Sequence, residues 1–113
     1  MKKTEKQMID KSMLSGSMAM LVLKLLSERE MYGYEMIRTL RDRSENVFEL
    51  KAGTLYPLLH SLKKKKLLTS YEKETEGKTR IYYSITPVGR VFVKEKEEMW
   101  HTFHHAVDLV MEG

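Results

Sequence analysis

The sequence predicts a mainly α-helical chain that carries one small β-hairpin. Apolar residues recur at helical spacing over most of its length, one segment near residue 80 alternates apolar and polar side chains, and a Thr-Pro pair marks a clear helix start. The 113 residues leave room for one compact unit. We divide it into a domain over residues 1–86 and a C-terminal helix over residues 87–113.

The N-terminal half is predicted to consist of two helices. The first runs from about Thr4 to Ser27, with a bend expected at Ser15–Ser17, and from Met18 to Leu26 it has almost no polar face. A helix that is apolar nearly all round is buried. The other predictions for this half are a connection over Glu30–Gly33, a helix over Gly33–Arg43, and a turn over Ser44–Gly53 with a short extended piece at Val47–Leu50.

The third helix is predicted to begin at Gly53–Thr54, with Thr54 as the N-cap, and to extend to residue 66. Pro57 falls in its first turn, where the missing N–H has no helical partner to lose. A rotation of about 100° per residue places Tyr56, His60 and Lys64 in a row on the exposed side. The opposite, apolar side follows the i, i+3, i+4, i+7 rule with Leu55, Leu58, Leu59 and Leu62.

A β-hairpin follows, with strands predicted over Leu68–Lys73 and Thr79–Ile85. The segment between the strands contains Gly77, which supplies the backbone freedom that a hairpin turn needs. Thr86–Pro87 then predicts the N-cap and the first residue of a last helix that runs to about Met111.

Three helices, a hairpin and a further helix follow one another as in the winged helix-turn-helix fold, whose third helix enters the major groove of DNA while the hairpin touches the flanking backbone. The net charge is +4, and residues 51–80 hold eight basic side chains against three acidic ones. Such a basic segment is expected where a surface meets phosphates, although a solvated lysine-rich helix end gives the same pattern. The candidate DNA-binding residues are Thr54, Tyr56, Pro57, His60, Lys63, Lys64, Lys78 and Arg80.

Three stretches of the chain match a known pattern, Tyr32–Glu35, Gly53–Leu59 with Leu62, and Tyr82–Arg90. Together they resemble the PadR family of bacterial transcriptional regulators, and with the hydrophobic spacing between them the likeness covers about residues 14–111. The motif GTLYPLL followed by YYxITPxGR is specific in that order. The resemblance implies a dimeric repressor of the smaller type, which binds a two-fold operator through helix 53–66 and the wing over residues 68–85. The N-terminal residues show no apolar signal-peptide core, so we expect the protein to stay in the cytoplasm.

The sequence departs from that family pattern in two places. Family members often carry an acid and a glycine between the recognition helix and the wing, where this chain has Lys63 and Lys66. The end of the helix is therefore expected to be more basic and longer. The wing also carries Glu72, Glu74 and Glu76, which leaves its contact with the DNA backbone open.

Two apolar surfaces predict a homodimer. One is the helix over residues 18–26, and the other is a stripe along the last helix; one short domain is not expected to cover both. The stripe consists of Val88, Phe92, Met99, Phe103, Ala106, Val107 and Val110.

Trp100, the single tryptophan, lies on this last helix. There the resemblance to multidrug-sensing members of the family implies a cavity between subunits, in which a planar aromatic effector would stack and release the regulator from DNA. The candidate ligand-binding residues are Met20, Leu23, Trp100, Phe103 and His104. The alternative that remains open is that Trp100 fills the core of the dimer.

Other functions are disfavoured by the residues. The chain has no cysteine, and His101, His104 and His105 do not share one helical face, so neither a metal nor a cofactor is expected. We expect no enzyme, because no Ser–His–acid set, phosphate loop or paired buried carboxylates appear. The longest apolar run, Met18–Leu23, is far too short to span a membrane. The function left open is a winged-helix protein-interaction module that uses the same basic surface on an acidic partner.

Overall fold

A computed structural model describes the backbone of residues 11–113 and the side chains from residue 16 onward. The elements in chain order are α1 (Lys11–Glu28), β1 (Met31–Tyr32), α2 (Gly33–Arg43), α3 (Ala52–Lys64), β2 (Leu68–Thr75), β3 (Lys78–Ile85) and α4 (Pro87–Glu112). The predicted helical start at Thr4 lies outside the described residues. Helix α1 continues through Gly16 without interruption. Within residues 11–113, no helix is long and apolar enough to cross a membrane.

The sheet has three antiparallel strands in the order β1-β3-β2. Strand β1 pairs with β3 through Met31 opposite Tyr83 and Tyr32 opposite Tyr82. The prediction of a simple connection over Glu30–Gly33 is therefore wrong at this point, because a two-residue strand is too short to show an alternating pattern. The extended piece predicted at Val47–Leu50 forms no strand.

The hairpin is longer and tighter than the sequence predicts. Strands β2 and β3 pair without a break from Leu68 opposite Ile85 to Thr75 opposite Lys78. Only Glu76 and Gly77 remain for the turn, and both have positive φ, 55° and 77°. A two-residue turn with two left-handed residues matches the right-handed twist of the paired strands. The wing is thus a regular two-stranded ribbon up to its tip.

The core lies between α1, α2, α3 and the inner face of the sheet. Helix α1 contributes Val22, Leu23, Leu25 and Leu26, all buried within the same chain. The chain itself therefore covers most of the apolar surface of the helix over residues 18–26, while Met20 and Leu21 stay half-buried. Helix α3 adds its predicted apolar face, because Leu55, Leu59 and Leu62 are buried and Leu58 is half-buried.

Helix α4 begins as predicted and then leaves the domain. The side chain of Thr86 accepts a hydrogen bond from the backbone N–H of Gly89 at 2.9 Å, which is a regular N-cap. Along the helix, only Gly89 and Val93 are buried. The remaining turns extend as an arm, and the described chain measures 55 × 33 × 21 Å. Phe92 of the apolar stripe packs against the core, and the rest of the stripe is a large apolar surface that the described residues leave uncovered.

Candidate nucleic-acid interface

Helix α3 begins earlier than predicted, at Ala52, with Lys51 as the N-cap. Lys51 makes no side-chain capping bond, and the backbone N–H of Leu55 donates to its carbonyl at 2.9 Å. Thr54 therefore lies inside the first turn and is not the cap. Pro57 is consequently the sixth helical residue, where it removes the bond that an N–H would donate to the carbonyl of Gly53. Gly53 is exposed, so water can satisfy that carbonyl.

The outer side of α3 presents the row of side chains that the sequence predicts. Tyr56 is 45% exposed, and His60 and Lys64 are exposed beyond it. Thr54 and Pro57 are exposed at the start of the same helix. Because the inner leucines hold the helix rigidly on the core, the outer row has a fixed geometry.

Tyr56 lies against the start of α2. A Cβ atom placed on Gly33 would overlap the phenol ring of Tyr56, so only glycine leaves room for the ring. Tyr83 is buried beneath this contact; burial raises the pKa of its phenol, and Tyr56 adds to that rise. Helix α3 is therefore supported through its own exposed aromatic residue by α2, the helix that precedes it.

The end of α3 differs from the prediction of a longer helix. The helix ends at Lys64, and Lys66 takes a left-handed conformation with φ of 64°. Glycine favours that conformation, which explains why family members often carry glycine in this region. Lys63 donates from its Nζ to Ser70 Oγ at 2.7 Å, which ties it to strand β2. Lys64 and Lys65 are exposed beside it.

The two predicted wing residues lie in different surroundings. Lys78 is exposed at the tip of the hairpin. Arg80 is half-buried, with its guanidinium 4.4 Å from the ring centroid of Tyr32 on the outer face of the sheet. Tyr32 in turn meets Tyr82 edge to face at 5.4 Å between centroids. Lys78 is therefore the freer cation, while Arg80 is held by stacking.

A separate apolar cavity of about 380 Å³ lies between α1, Phe48 and α4. Met20, Leu21, Val93 and Trp100 supply most of its apolar lining, and Lys24, Glu97 and His101 stand at its polar side. A second cavity of about 570 Å³ shares Met20 and Trp100 and adds Phe103. Trp100 itself is 39% exposed.

Two of the predicted ligand-binding residues, Leu23 and His104, do not line these cavities. Leu23 is 0% exposed and lies in the core, while Leu21, about 200° around α1 from it, lines the cavity beside Met20. His104 does not line either cavity, but its ring stacks on the indole of Trp100 at 4.8 Å between centroids. The sequence analysis missed Leu21 and Phe48. Over residues 16–113, no group of three His, Cys, Asp or Glu side chains could hold a metal ion.

The fold and this exposed basic helix define a DNA-binding winged helix. The sequence profile that describes the Transcriptional regulator PadR-like family matches residues 22–95. A transcriptional regulator from Clostridium thermocellum is 33% identical, with a TM-score of 0.81 over 87% of this chain and 96% of that one. A PadR-like transcriptional regulator from Bacillus cereus is 30% identical, with a TM-score of 0.82 over 91% and 99%. An uncharacterised protein of Lysinibacillus sphaericus is 32% identical over 94% of this chain and 98% of the relative.

The chain belongs to the PadR-like family of transcriptional regulators. The family profile and the structural neighbours confirm the family and the fold class predicted from the sequence. Regulators of this family bind DNA and are not enzymes.

Proposed function

We propose that this chain is a repressor that binds a two-fold DNA site as a homodimer in the cytoplasm. Helix α3 of each protomer lies in a major groove, and the β2–β3 hairpin lies along the flanking backbone. The observation that carries the proposal is the two-sided character of α3. Three of its four leucines are buried, while Tyr56, His60 and Lys64 form a row on its exposed side.

The roles of the side chains follow from their chemistry. Tyr56 and His60 present hydrogen-bonding groups to base edges or to phosphates, and Lys64 and Lys78 present ammonium groups to phosphates. Lys63 contributes less, because its ammonium already donates to Ser70. A dimer bound over a promoter excludes RNA polymerase, which makes repression the simplest outcome.

The arm formed by α4 supports the homodimer. Its exposed apolar side chains have no cover within residues 16–113: Val88, Val91, Met99, Phe103, Val107, Leu109, Val110 and Met111. Phe103 is 67% exposed and Val110 is 78% exposed. An apolar surface of this length on a small chain is typical of a subunit interface. A second copy of the chain supplies a matching helix by symmetry.

The two cavities support release of the repressor by a planar aromatic effector. Both open onto Trp100 and Met20, and the second reaches Phe103 on the uncovered side of α4. An indole face offers stacking to a planar ring and cation–π attraction to a positively charged one. The effector shifts the dimer away from its DNA-binding state only as far as its affinities for the two states differ.

The experiment that tests the proposal is selection of bound fragments from the genomic DNA of the source organism by the purified full chain. Recovered fragments should share an inverted repeat whose half-sites lie about one helical turn, or a multiple of it, apart. Recovery of fragments without a shared repeat would contradict a two-fold operator. Recovery of no DNA, with binding to acidic proteins instead, would favour the protein-interaction module.

A further inference from the structure

The first turn of α4, residues 86–90, joins the recognition helix to the C-terminal arm. Besides capping α4, the hydroxyl of Thr86 donates a hydrogen bond to the carbonyl oxygen of Lys66 at 2.8 Å. The backbone N–H of Thr86 donates to the carbonyl of Leu67 at 3.1 Å. One residue therefore starts α4 and holds the two peptides that follow α3.

Those two peptides belong to the end of α3 itself. The N–H of Leu67 donates to the carbonyl of Leu62 at 3.0 Å, and the N–H of Lys66 donates to that of Lys63 at 2.9 Å. With Lys66 left-handed, this is a Schellman motif, which closes the helix and fixes the next peptides in space. Leu62 and Leu67 are both buried, as the apolar contact of that motif requires.

Two further contacts tighten the same turn. Gly89 packs so closely on this segment that a Cβ atom would overlap the carbonyl oxygen of Leu67. Arg90 donates from Nη1 to the carbonyl of Ser27 at 3.1 Å, in the last turn of α1. The first turn of α4 is thus bonded to the ends of two helices of the domain.

We propose that Thr86 is a positioning residue for DNA recognition, whose hydroxyl locks the end of α3 to the start of α4. Through this joint, the direction of α4 fixes the direction of the recognition helix. The inference rests on the proposed function only for its effect on operator binding. The lock itself is a property of one chain.

The stiffness of this joint is important because α4 is long. Helix α4 has 26 residues, which corresponds to a length of about 39 Å at 1.5 Å per residue. A tilt of about 5° at its base moves its far end by about 3 Å, which is as large as a whole hydrogen-bond distance. A dimer held along α4 therefore places its two recognition helices accurately only if the joint is stiff.

Three substitutions at Thr86 separate the lock from the cap. Thr86→Ser keeps both hydrogen bonds of the hydroxyl. Thr86→Asp keeps a good N-cap acceptor but has no proton to donate to the Lys66 carbonyl when ionised. Thr86→Val keeps the shape and loses both functions. If residue 86 did no more than cap α4, the parent, Thr86→Ser and Thr86→Asp would all behave alike.

The measurement is the distance between two spin labels within one chain. The parent has no cysteine, so Lys65→Cys and Glu98→Cys place one label after α3 and one on α4. Mixing with excess unlabelled chain removes signals between subunits, and no DNA is added. We expect the parent and Thr86→Ser to give the same narrow distance distribution. Thr86→Asp and Thr86→Val should give broader distance distributions. Only Thr86→Val should lower the melting temperature, because only that variant loses the N-cap of α4.

A distribution for Thr86→Asp as narrow as that of the parent would overturn the lock. Should Thr86→Asp not fold, Thr86→Val decides in its place, because it too lacks the proton that the Lys66 carbonyl accepts. A distribution for Thr86→Val as narrow as that of the parent would then overturn the lock. On operator DNA, Thr86→Asp should bind about tenfold more weakly, roughly the loss of one base-pair contact. A parent chain that binds no DNA would contradict the proposed function and leave the distances to decide the joint.

Discussion

The phenol ring of Tyr56 lies directly on Gly33, so the most exposed aromatic residue of the recognition helix rests on the first residue of the helix before it. The pair accounts for two of the three motifs that carry the family resemblance, because one partner comes from each. Glycine is needed at position 33 for space, since a methyl group there would occupy the position of the ring.

Gly33→Ala should therefore weaken operator binding by displacing Tyr56. The added Cβ forces the ring to move, and the rest of the recognition helix keeps its leucine anchors. Titration of labelled operator DNA measures the loss, and Tyr56→Ala provides the reference. In the double variant, Gly33→Ala should add little to the effect of Tyr56→Ala, because the group that it displaces is already gone. Fully additive losses would contradict this contact as the cause.

The exposed row of α3 should separate specific from general DNA binding. Tyr56→Ala and His60→Ala should reduce affinity for the selected operator more than for random DNA, because they remove groups that reach the bases. Lys64→Ala should reduce both, and should lower the slope of log affinity against log salt by about one unit. The matched control is Lys94→Ala on α4, which should leave both affinities unchanged. If His60→Ala weakened binding to the operator and to random DNA equally, His60 would contact phosphate rather than a base.

The homodimer should depend on the uncovered stripe of α4. Phe103→Asp places a charge on the stripe, and we expect a monomer in sedimentation equilibrium at micromolar concentration. Lys94→Asp introduces the same charge on the exposed polar side of the same helix and should stay dimeric. A parent chain that sediments as a monomer would contradict the interface altogether.

The cavities beside Trp100 should bind planar aromatic molecules. Because Trp100 is the only tryptophan, its fluorescence reports this site, and a panel of planar dyes should quench it saturably. His104 stacks on one face of the indole, so His104→Ala should change the affinity for a dye, whereas His105→Ala should not. Trp100→Ala should lose dye binding in equilibrium dialysis and keep its affinity for DNA. No quenching with any dye would leave a repressor without this effector site.

Some elements of the structure could be predicted from the sequence pattern, and others could not. The face of α3 follows from its leucine spacing, and the start of α4 follows from Thr86–Pro87, because both patterns have one physical solution. Helix α1 is apolar nearly all round, so its periodicity could not distinguish Leu23, which is buried in the core, from Leu21, which faces the cavity.

Both ends of α3 were predicted wrongly, because they were placed from the chemistry of single side chains. Thr54 has the side chain of an N-cap, yet the helix begins at Ala52, directly after Lys51, which caps it without a side-chain hydrogen bond. The first turn is held by backbone hydrogen bonds alone. At the other end, four consecutive lysines favour a longer helix, but burial of Leu67 beside Leu62 requires the chain to turn back, and Lys66 adopts the left-handed conformation for that reason.

The most direct test of the account is a hydroxyl-radical footprint of the full chain on its selected operator, repeated at several salt concentrations. We predict two protected half-sites related by a two-fold axis, about one helical turn or a multiple of it apart, with affinity that falls steeply as salt rises. A single unsymmetrical protected segment, or binding that hardly changes with salt, would contradict a dimer that reads DNA through α3 and its lysines.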